Sequence, residues 1–271
     1  MNNTVIRIQD AVVSYREDVA LQGVSLEVKR GDFIGVIGPN GAGKTTLLTV
    51  INGLGKLVHG QAWVLGMPVN GRNGINLRKR IGYVAQAENI DPRLPINVRE
   101  TVMVGCYGRL GLFRRPTRAQ WEAVDKVLEM VGMAHLARRP IGHLSGGEYQ
   151  RAAIARALIQ QPEIFLLDEP TASIDPQAQQ EILSLIQLVH REYHMTTLFV
   201  THDLKKLPSI CHRLVLMKEG KIWKQGSPEP MLKEEILGQL YEVEGLATTE
   251  TALTSIIAGR RRSNLGAGDF R

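Results

Sequence analysis

A short stretch near the start of the chain has the residue types and spacing that bind phosphate. In GPNGAGKTT, residues 38–46, Gly38 and Gly43-Lys44-Thr45 match the pattern G-x-x-x-x-G-K-[ST]. Glycines let backbone N–H groups close around phosphate oxygens, and the Lys44 ammonium would reach the β- and γ-phosphates of a nucleotide. The Thr45 hydroxyl is a ligand for Mg²⁺. The alternative is a glycine-rich turn with a solvated lysine.

The segments on either side of this loop favour phosphate binding. FIGVI, Phe33–Ile37, has the character of a buried strand, and Leu47, Leu48 and Ile51 recur at helical spacing after the loop. This order places the loop at a helix N-terminus, where the helix dipole attracts phosphate. The predicted nucleotide-binding residues of the loop are Gly38, Pro39, Asn40, Gly41, Ala42, Gly43, Lys44, Thr45 and Thr46.

Two adjacent carboxylates end another apolar run. IFLLDEP, residues 164–170, reads as a strand that finishes at Asp168 and Glu169. Asp168 would hold Mg²⁺ through water, and Glu169 would act as the general base for hydrolysis, a contribution of about 10²–10⁴-fold in rate. The alternative is a pair of solvated carboxylates. ATP and Mg²⁺ are the cofactors that these motifs predict.

A third motif predicts a second anion-binding helix end. In LSGGE, residues 144–148, Ser145 and two glycines directly precede the helical run EYQRAAIARALI. The free N–H groups and the dipole at the start of that helix would face an anion. The candidate anion-binding residues there are Ser145, Gly146, Gly147 and Glu148. The chain therefore has one lysine-bearing loop and one such helix end.

Composition limits the class of protein. The 271 residues suffice for one large domain or two small lobes. No apolar run approaches the roughly 20 residues that cross a bilayer, and MNNTVIRIQD lacks the order of a secretory signal, so a cytosolic location is expected. Cys106 and Cys211 are the only cysteines and are expected to be reduced, buried thiols. The net charge of +6 suits polyanions in general and does not indicate nucleic acid.

Hydrophobic patterns predict a mixed α/β fold. Short strands with turns occupy residues 4–30, helical patterns dominate from about 88 to 157, and strands alternate with helices after residue 161. Such alternation is typical of a mainly parallel sheet covered by helices. Within the helical part, the apolar stripe of Trp121, Val124, Leu128 and Val131 is expected to pack in the core.

The motifs together resemble the ATP-binding subunits of ABC transporters, from Thr4 to about Tyr241. The family's order is followed by Tyr15 in VVSY, the loop of residues 38–46, Gln86 in GYVAQ, LSGGE, LLDEP, Asp175 in ASID, and His202 in THD. The resemblance implies a P-loop NTPase (RecA-like) core with an N-terminal antiparallel β subdomain and an inserted α-helical signature subdomain. The ATPase domain is predicted at residues 4–245, with the helical subdomain at about 88–157 and a tail at 246–271.

The resemblance also implies roles for single residues. Tyr15 would stack on adenine, although a strand aromatic without that role is the alternative. Gln86 would contact Mg²⁺ and the attacking water and link the site to the helical subdomain. His202 would contact the γ-phosphate and hold Glu169 in place. The predicted catalytic residues are Glu169, His202 and Gln86. Asp175 would couple the two sites of a dimer.

Partners follow from the same resemblance. Two copies of the chain would meet head to tail as a homodimer and enclose two ATP molecules, bound to integral membrane permease subunits at the cytoplasmic face of the membrane. Glutamine is commoner than Glu148 at the end of the signature, and because an acid would repel phosphate, Glu148 is expected to point toward ribose or solvent. Ile174 stands where leucine is usual before Asp175.

The segment after Gln86 indicates the cargo. DPRLPINVRETVMVGCYGRLGLFRRPTRAQWEAV resembles the subunits of manganese, zinc and iron uptake systems, in which an extracytoplasmic protein holds the metal. The alternatives are an exporter subunit and a non-transport ATPase of the iron–sulfur cluster assembly type. Nucleic acid is not an expected partner, because the related DNA-repair ATPases carry long coiled-coil insertions and this sequence has none. His190 and His194 are expected to be a solvated pair at a helix end.

Overall fold

The computed structural model describes residues 3–16, 18–86, 91, 93–111 and 114–241. Its strands are β1 (Thr4–Tyr15), β2 (Asp18–Lys29), β3 (Phe33–Ile37), β4 (His59–Val64), β5 (Met67–Pro68), β6 (Ile81–Val84), β7 (Ile164–Asp168), β8 (Thr196–Thr201), β9 (Arg213–Lys218) and β10 (Lys221–Gly226). Its helices are α1 (Lys44–Ile51), α2 (Gly74–Arg78), α3 (Val98–Val104), α4 (Tyr107–Leu110), α5 (Arg118–Met130), α6 (Gly146–Leu158), α7 (Pro176–Tyr193), α8 (Pro228–Met231) and α9 (Glu234–Tyr241). The predicted tail, residues 246–271, and the predicted boundary at residue 88 lie outside the described residues.

The N-terminal strands form an antiparallel sheet in the order β2-β1-β4-β5. Buried and exposed residues alternate along the second half of β2, as expected of a sheet with one face on the core and the other toward solvent. This sheet is the predicted N-terminal antiparallel subdomain.

A second sheet of six strands carries the core of the molecule, in the order β10-β9-β3-β8-β7-β6. Strands β9, β3, β8, β7 and β6 are parallel neighbours, and β10 returns antiparallel to β9. Every residue of β3, β7 and β8 is buried, which is the pattern of parallel strands covered on both faces. The predicted fold class, a P-loop NTPase core with the antiparallel subdomain, is confirmed.

Helices α3 to α6 lie in sequence between β6 and β7. Thr117 begins α5 with a capping box, since its side chain accepts from the Gln120 N–H while Gln120 reaches back to the Thr117 N–H. The apolar stripe of α5 packs as predicted, because Val124, Leu128 and Val131 are fully buried and Trp121 is partly buried against the same cluster. Among the described residues, no helix is both long and apolar enough to cross a membrane.

Two predictions concern the cysteines and a pair of histidines. Both cysteines, Cys106 and Cys211, are free and buried, as expected. The prediction of a solvated histidine pair is wrong for His190: its Nδ1 lies 3.0 Å from the Thr197 hydroxyl, and its ring meets Phe33 edge-on at 5.0 Å. The last turn of α7 packs on the sheet, which partly buries that ring, whereas His194 is exposed in a left-handed cap. No group of three or more possible metal-ligating side chains occurs in the described ranges.

Candidate functional site

The carboxyl ends of three neighbouring strands assemble the site. In the parallel register, Ile37 of β3 stands opposite Thr201 of β8, and Asp168 of β7 stands opposite Val200. The residues that follow these strands therefore emerge side by side at one edge of the sheet, where open α/β sheets bind ligands. The predicted phosphate loop, the two carboxylates and His202 meet there although they are far apart in sequence.

Two glycines and a buried lysine set the conformation of the phosphate loop. A Cβ at Gly38 would lie 2.2 Å from the Met217 carbonyl oxygen, so only glycine fits where the loop leaves β3. Gly43 has φ of +91° and caps α1 in the left-handed region that favours glycine. The Lys44 ammonium donates to the carbonyl oxygens of Gly38 and Pro39, each at 2.9 Å, and is therefore held inside the loop.

Charge around Lys44 is balanced by two carboxylates. Burial lowers the pKa of the Lys44 ammonium below its usual value, while the nearby charges of Glu169 and Asp168 oppose that shift. Lys44 is only 7% exposed, so a cation in this position is stabilised by these carboxylates or by an incoming anion. The loop is therefore suited to receive phosphate.

Asp168 lies against the start of α1. Burial raises the pKa of this carboxyl, although hydrogen bonds from Thr45 and Tyr83 lower it. The Tyr83 hydroxyl on β6 donates to Asp168 Oδ2 at 3.3 Å, and burial, with the charge of Asp168, raises the pKa of that phenol strongly. Hydroxyl and carboxylate oxygens are the hard ligands that Mg²⁺ prefers, so the side chains of Thr45 and Asp168 fit that ion.

Glu169 and His202 form a close pair at the same edge. His202 Nδ1 lies 2.9 Å from Glu169 Oε1, and the Glu169 side chain is 11% exposed whereas that of His202 is 47% exposed. The Glu169 N–H donates to the Val200 carbonyl oxygen at 3.1 Å, which ties the turn after β7 to β8. The Glu169 carboxylate is therefore largely sheltered from solvent, and the more exposed His202 imidazole orients it.

The loop and this pair line a common cleft with a volume of about 480 Å³. Its walls are Ala20, Asn40, Gly41, Ala42, Gly43, Lys44, Thr45, Thr46, Gln86, Glu169 and His202. Gln86 thus joins the loop, as the resemblance implies. Tyr15 is 52% exposed at the end of β1 and is not among the lining residues, so its role with adenine stays a prediction.

The signature residues occupy a different place. None of Ser145–Glu148 lines the cleft. The Ser145 hydroxyl accepts from the Glu148 N–H at 3.3 Å, and Glu148 Oε2 accepts from the Ser145 N–H at 2.7 Å, which is a capping box at the start of α6. Glu148 was expected to point toward ribose or solvent. One of its carboxylate oxygens accepts from the N–H at its own helix end while the side chain stays 30% exposed, and a contact with ribose stays a prediction.

Asp175 caps a helix of its own chain. Its carboxylate accepts from the Ala178 N–H at 2.9 Å and caps α7. A Cβ at Gly147 would lie 2.8 Å from the Cβ of Ala178, so the starts of α6 and α7 are in close contact. The role of Asp175 between two chains stays a prediction, and this contact places it beside the signature.

Two residues of the site, Tyr83 and Ala20, were not predicted from the sequence. Tyr83 lies in the motif GYVAQ, one residue from the strand end, and its position before Gln86 was the available signal. Ala20 contributes to the cleft from β2, and nothing in its residue type marks it. Both come from strands that are distant in sequence from the residues that they meet.

Comparisons with known proteins identify the family of the chain. The family model described as ABC transporter matches residues 21–172. The chain is 37% identical over 236 residues to the manganese transport system ATP-binding protein MntB of Listeria innocua, covering 87% of this chain and 95% of the relative. It is 35% identical to the ferric enterobactin transport ATP-binding protein FepC of Escherichia coli, covering 89% of each chain.

A solved structure has the same architecture. The ATP-binding cassette MJ0796, a dimer in a post-hydrolysis state bound to ADP and Pi, superposes with a TM-score of 0.71 at 27% identity, covering 82% of this chain and 98% of that one. The phosphate loop, the strand-end carboxylates and the capped signature helix stand in one polypeptide with this fold. The chain therefore belongs to the ABC transporter family as an ATP-binding subunit, and it is an ATPase.

Proposed function

We propose that the cleft binds the phosphates of ATP with Mg²⁺. Backbone N–H groups of the loop and the Lys44 ammonium would hold the β- and γ-phosphates at the N-terminus of α1. Thr45, Gln86 and Asp168 would hold Mg²⁺, which neutralises phosphate charge when bound. The hydroxyl and carboxylate oxygens at the end of β7 and the start of α1 support this assignment.

In hydrolysis, Glu169 would accept the proton of the water that attacks the γ-phosphorus, and the bond from that phosphorus to the bridging oxygen of ADP would break. His202 would hold the Glu169 carboxylate and contact the γ-phosphate. The observation that supports both roles is the 2.9 Å contact between His202 Nδ1 and Glu169 Oε1 beside the lysine loop. A sheltered carboxylate oriented by a second group is the arrangement that general-base catalysis requires.

The active unit would be a homodimer in which two ATP molecules lie between the chains. Each chain has a lysine loop and a signature helix end, and the signature residues do not line the cleft of their own chain. A second copy placed head to tail would bring the α6 N-terminus to the exposed side of the ATP phosphates. Asp175, at the start of α7 beside the signature, would then lie near the interface and couple the two sites.

The cargo would be a divalent metal ion, manganese, zinc or iron, imported through integral membrane permease subunits to which this chain binds at the cytoplasmic face. The 37% identity to a manganese transport protein supports this cargo, as does the segment that follows Gln86. An extracytoplasmic metal-binding protein would deliver the ion. The similarity to a ferric enterobactin protein keeps iron, as a chelate, within the candidate class.

Uptake measurements test the cargo. A strain that lacks this chain would be complemented with the wild type, with Lys44→Ala, or with Lys56→Ala, a matched change of an exposed lysine outside the cleft. We expect the wild type and Lys56→Ala to restore accumulation of one of the three metals, and Lys44→Ala to restore none, because the buried ammonium that meets phosphate is lost. Metal accumulation that is equal with Lys44→Ala and with the wild type would mean that ATP hydrolysis by this chain does not drive transport.

Isolation of the complex distinguishes the alternatives. Tagged Glu169→Gln would be purified from membranes in mild detergent with ATP. An integral membrane protein in the complex, together with metal accumulation, would support import, and metal loss from loaded cells would indicate an exporter. A complex with soluble partners alone would favour the iron–sulfur cluster assembly type and would contradict the import proposal.

A further inference from the structure

The last described helix reaches the edge of the sheet that carries the catalytic pair. Leu237 and Leu240 of α9 are buried, 3% and 0% exposed, so the helix is anchored on the core by apolar contacts. The Lys218 ammonium, at the end of β9, donates to the Gln239 carbonyl oxygen at 2.9 Å and fixes the C-terminal turn of the helix. Tyr241 is therefore presented to the site from a rigid element.

The Tyr241 hydroxyl donates to the backbone carbonyl oxygen of His202 at 2.9 Å. This hydrogen bond joins the last residue of α9 to the loop after β8, 39 positions away in sequence. His202 begins the loop after β8, where the neighbouring Asp203 N–H donates to the Thr201 hydroxyl at 3.0 Å. The backbone that carries the imidazole is thus held by its own turn and by the Tyr241 side chain from α9.

The environment of Tyr241 keeps its hydroxyl in the donor form. Burial, together with the negative charges of Asp203 and Glu169, raises the pKa of this phenol to about 12. At neutral pH the phenol keeps its proton, as an unperturbed phenol also does, and its hydroxyl donates a hydrogen bond to the carbonyl oxygen, which can only accept. Since the ring is half-buried, a hydroxyl without that acceptor would lose a hydrogen bond that water replaces only in part.

We propose that Tyr241 is a positioning residue for ATP hydrolysis, because its hydroxyl fixes the His202 backbone and thereby the imidazole against Glu169. The inference rests on the catalytic role proposed above for His202 and Glu169. Tyr241 does not line the cleft, so it acts on the reaction through His202 and not through contact with ATP. The helix that ends the described chain thus contributes to turnover.

The test removes the hydroxyl alone. Tyr241→Phe keeps the ring and the buried leucines of α9, and Tyr193→Phe is the matched control, because that hydroxyl contacts the Met130 sulfur at 3.7 Å at the C-terminal end of α7. We expect Tyr241→Phe to lower kcat for ATP about 3- to 10-fold with KM for MgATP unchanged, as loss of one neutral hydrogen bond predicts. Tyr193→Phe is expected to match the wild type. An unchanged kcat in Tyr241→Phe, or an equal loss in Tyr193→Phe, would overturn the inference.

A double substitution separates positioning from simple packing. If Tyr241 acts through the imidazole, Tyr241→Phe added to His202→Ala lowers kcat no further than His202→Ala does. A further loss of equal size in that background would show that the hydroxyl stabilises the fold in general, which contradicts the inference. If His202→Ala itself leaves turnover intact, the proposed catalytic pair fails, and this result is distinct from an unchanged kcat in Tyr241→Phe alone.

Discussion

Glu169 combines two features that are unusual for an acidic residue at a strand end. Its φ is +47°, in the left-handed region that non-glycine residues rarely occupy, and its side chain is largely sheltered from solvent. Such a backbone costs about 1 kcal/mol or more and persists where surrounding contacts determine it. Here the Glu169 N–H bond to Val200 and the His202 contact hold the turn, so strain is stored at the group proposed to act as the base.

Glu169→Gln tests that residue with little change of shape. The amide keeps a side chain of the same length beside His202 and loses the ability to accept a proton. We expect kcat for ATP to fall about 10²–10⁴-fold, with equilibrium binding of ATP retained. Phosphate release and nucleotide titration measure the two quantities. Glu122→Gln, which changes an exposed glutamate of α5, is the control, and a near-normal kcat in Glu169→Gln would assign proton acceptance elsewhere.

At the scale of elements, the crossing of α3 and α6 is closed by a glycine. A Cβ at Gly105, the residue that ends α3, would lie 2.2 Å from the Arg156 carbonyl oxygen of α6. We expect Gly105→Ala to separate these helices and to lower the free energy of unfolding by about 1–3 kcal/mol, as over-packing does. Urea denaturation provides the measurement.

Gly108, three residues later in α4, supplies the matched control. A Cβ there would meet only the Lys79 side chain, at 3.8 Å, so alanine fits without displacement. Gly108→Ala is expected to be neutral or to stabilise by up to about 1 kcal/mol, because alanine favours a helix more than glycine does. Equal destabilisation by both substitutions would mean that the close approach of α3 and α6 is not the cause.

An acidic residue before β7 joins three segments. Burial alone would raise the pKa of Glu163, but hydrogen bonds from Arg80 and Arg30 outweigh it and lower that pKa below the usual 4.5. Arg80 precedes β6, where its Nε donates to Glu163 at 2.6 Å, and Arg30 follows β2, where its Nη2 donates at 3.0 Å. The carboxylate therefore ties the edge of the parallel sheet to the antiparallel sheet.

This contribution depends on pH in a defined direction. Because the folded-state pKa is depressed, the stabilisation is fully present above the unfolded pKa and is lost as pH falls through the folded pKa. We expect Glu163→Gln to lower the free energy of unfolding by about 0.5–1 kcal/mol near pH 7, since the ion pairs are partly exposed. The difference from the wild type should shrink as pH falls below the usual pKa of 4.5 and through the lower folded-state pKa. Urea denaturation near neutral pH and at successively lower pH measures it, and a difference that does not change with pH would exclude the charge as its source.

At the scale of the whole molecule, the chain carries the parts of a composite site in two places. The lysine loop lies at the edge of the six-stranded sheet, and the signature lies at the start of α6. Ser145→Arg would fill the space before that helix end with a long side chain. We expect the Ser145→Arg chain to bind ATP as a monomer and to form no ATP-dependent dimer in the Glu169→Gln background. Sedimentation with ATP measures the association.

Thr117→Arg is the matched control for that experiment. Thr117 caps α5 with the same reciprocal hydrogen bonds that Ser145 makes in α6, so each substitution removes a capping box worth about 1 kcal/mol. Only the position in the molecule differs. ATP-dependent dimers should persist in Thr117→Arg, and their persistence in Ser145→Arg as well would rule out the head-to-tail arrangement.

The phosphate loop and the strand-end carboxylates were predictable from local patterns in the sequence, because glycine spacing sets which loop can cradle phosphate and apolar runs that end in carboxylates mark strand ends. The family, and the fold class that it implies, were predictable from the order of the motifs along the chain. The helical stripe of Val124, Leu128 and Val131 was predictable for the same reason, since its 3.6-residue period is visible within one segment.

Contacts between groups that are distant in sequence became visible only in the folded chain. Strand order places Tyr83 against Asp168, 85 residues away, and brings Tyr241 to the His202 carbonyl oxygen. The partial burial of the His190 ring depends likewise on how α7 packs on the sheet. Such contacts arise between segments that the chain brings together on folding, and hydrogen bonds of this kind carry no pattern in the sequence of either partner. They determine how the chemistry predicted by the motifs is held in place.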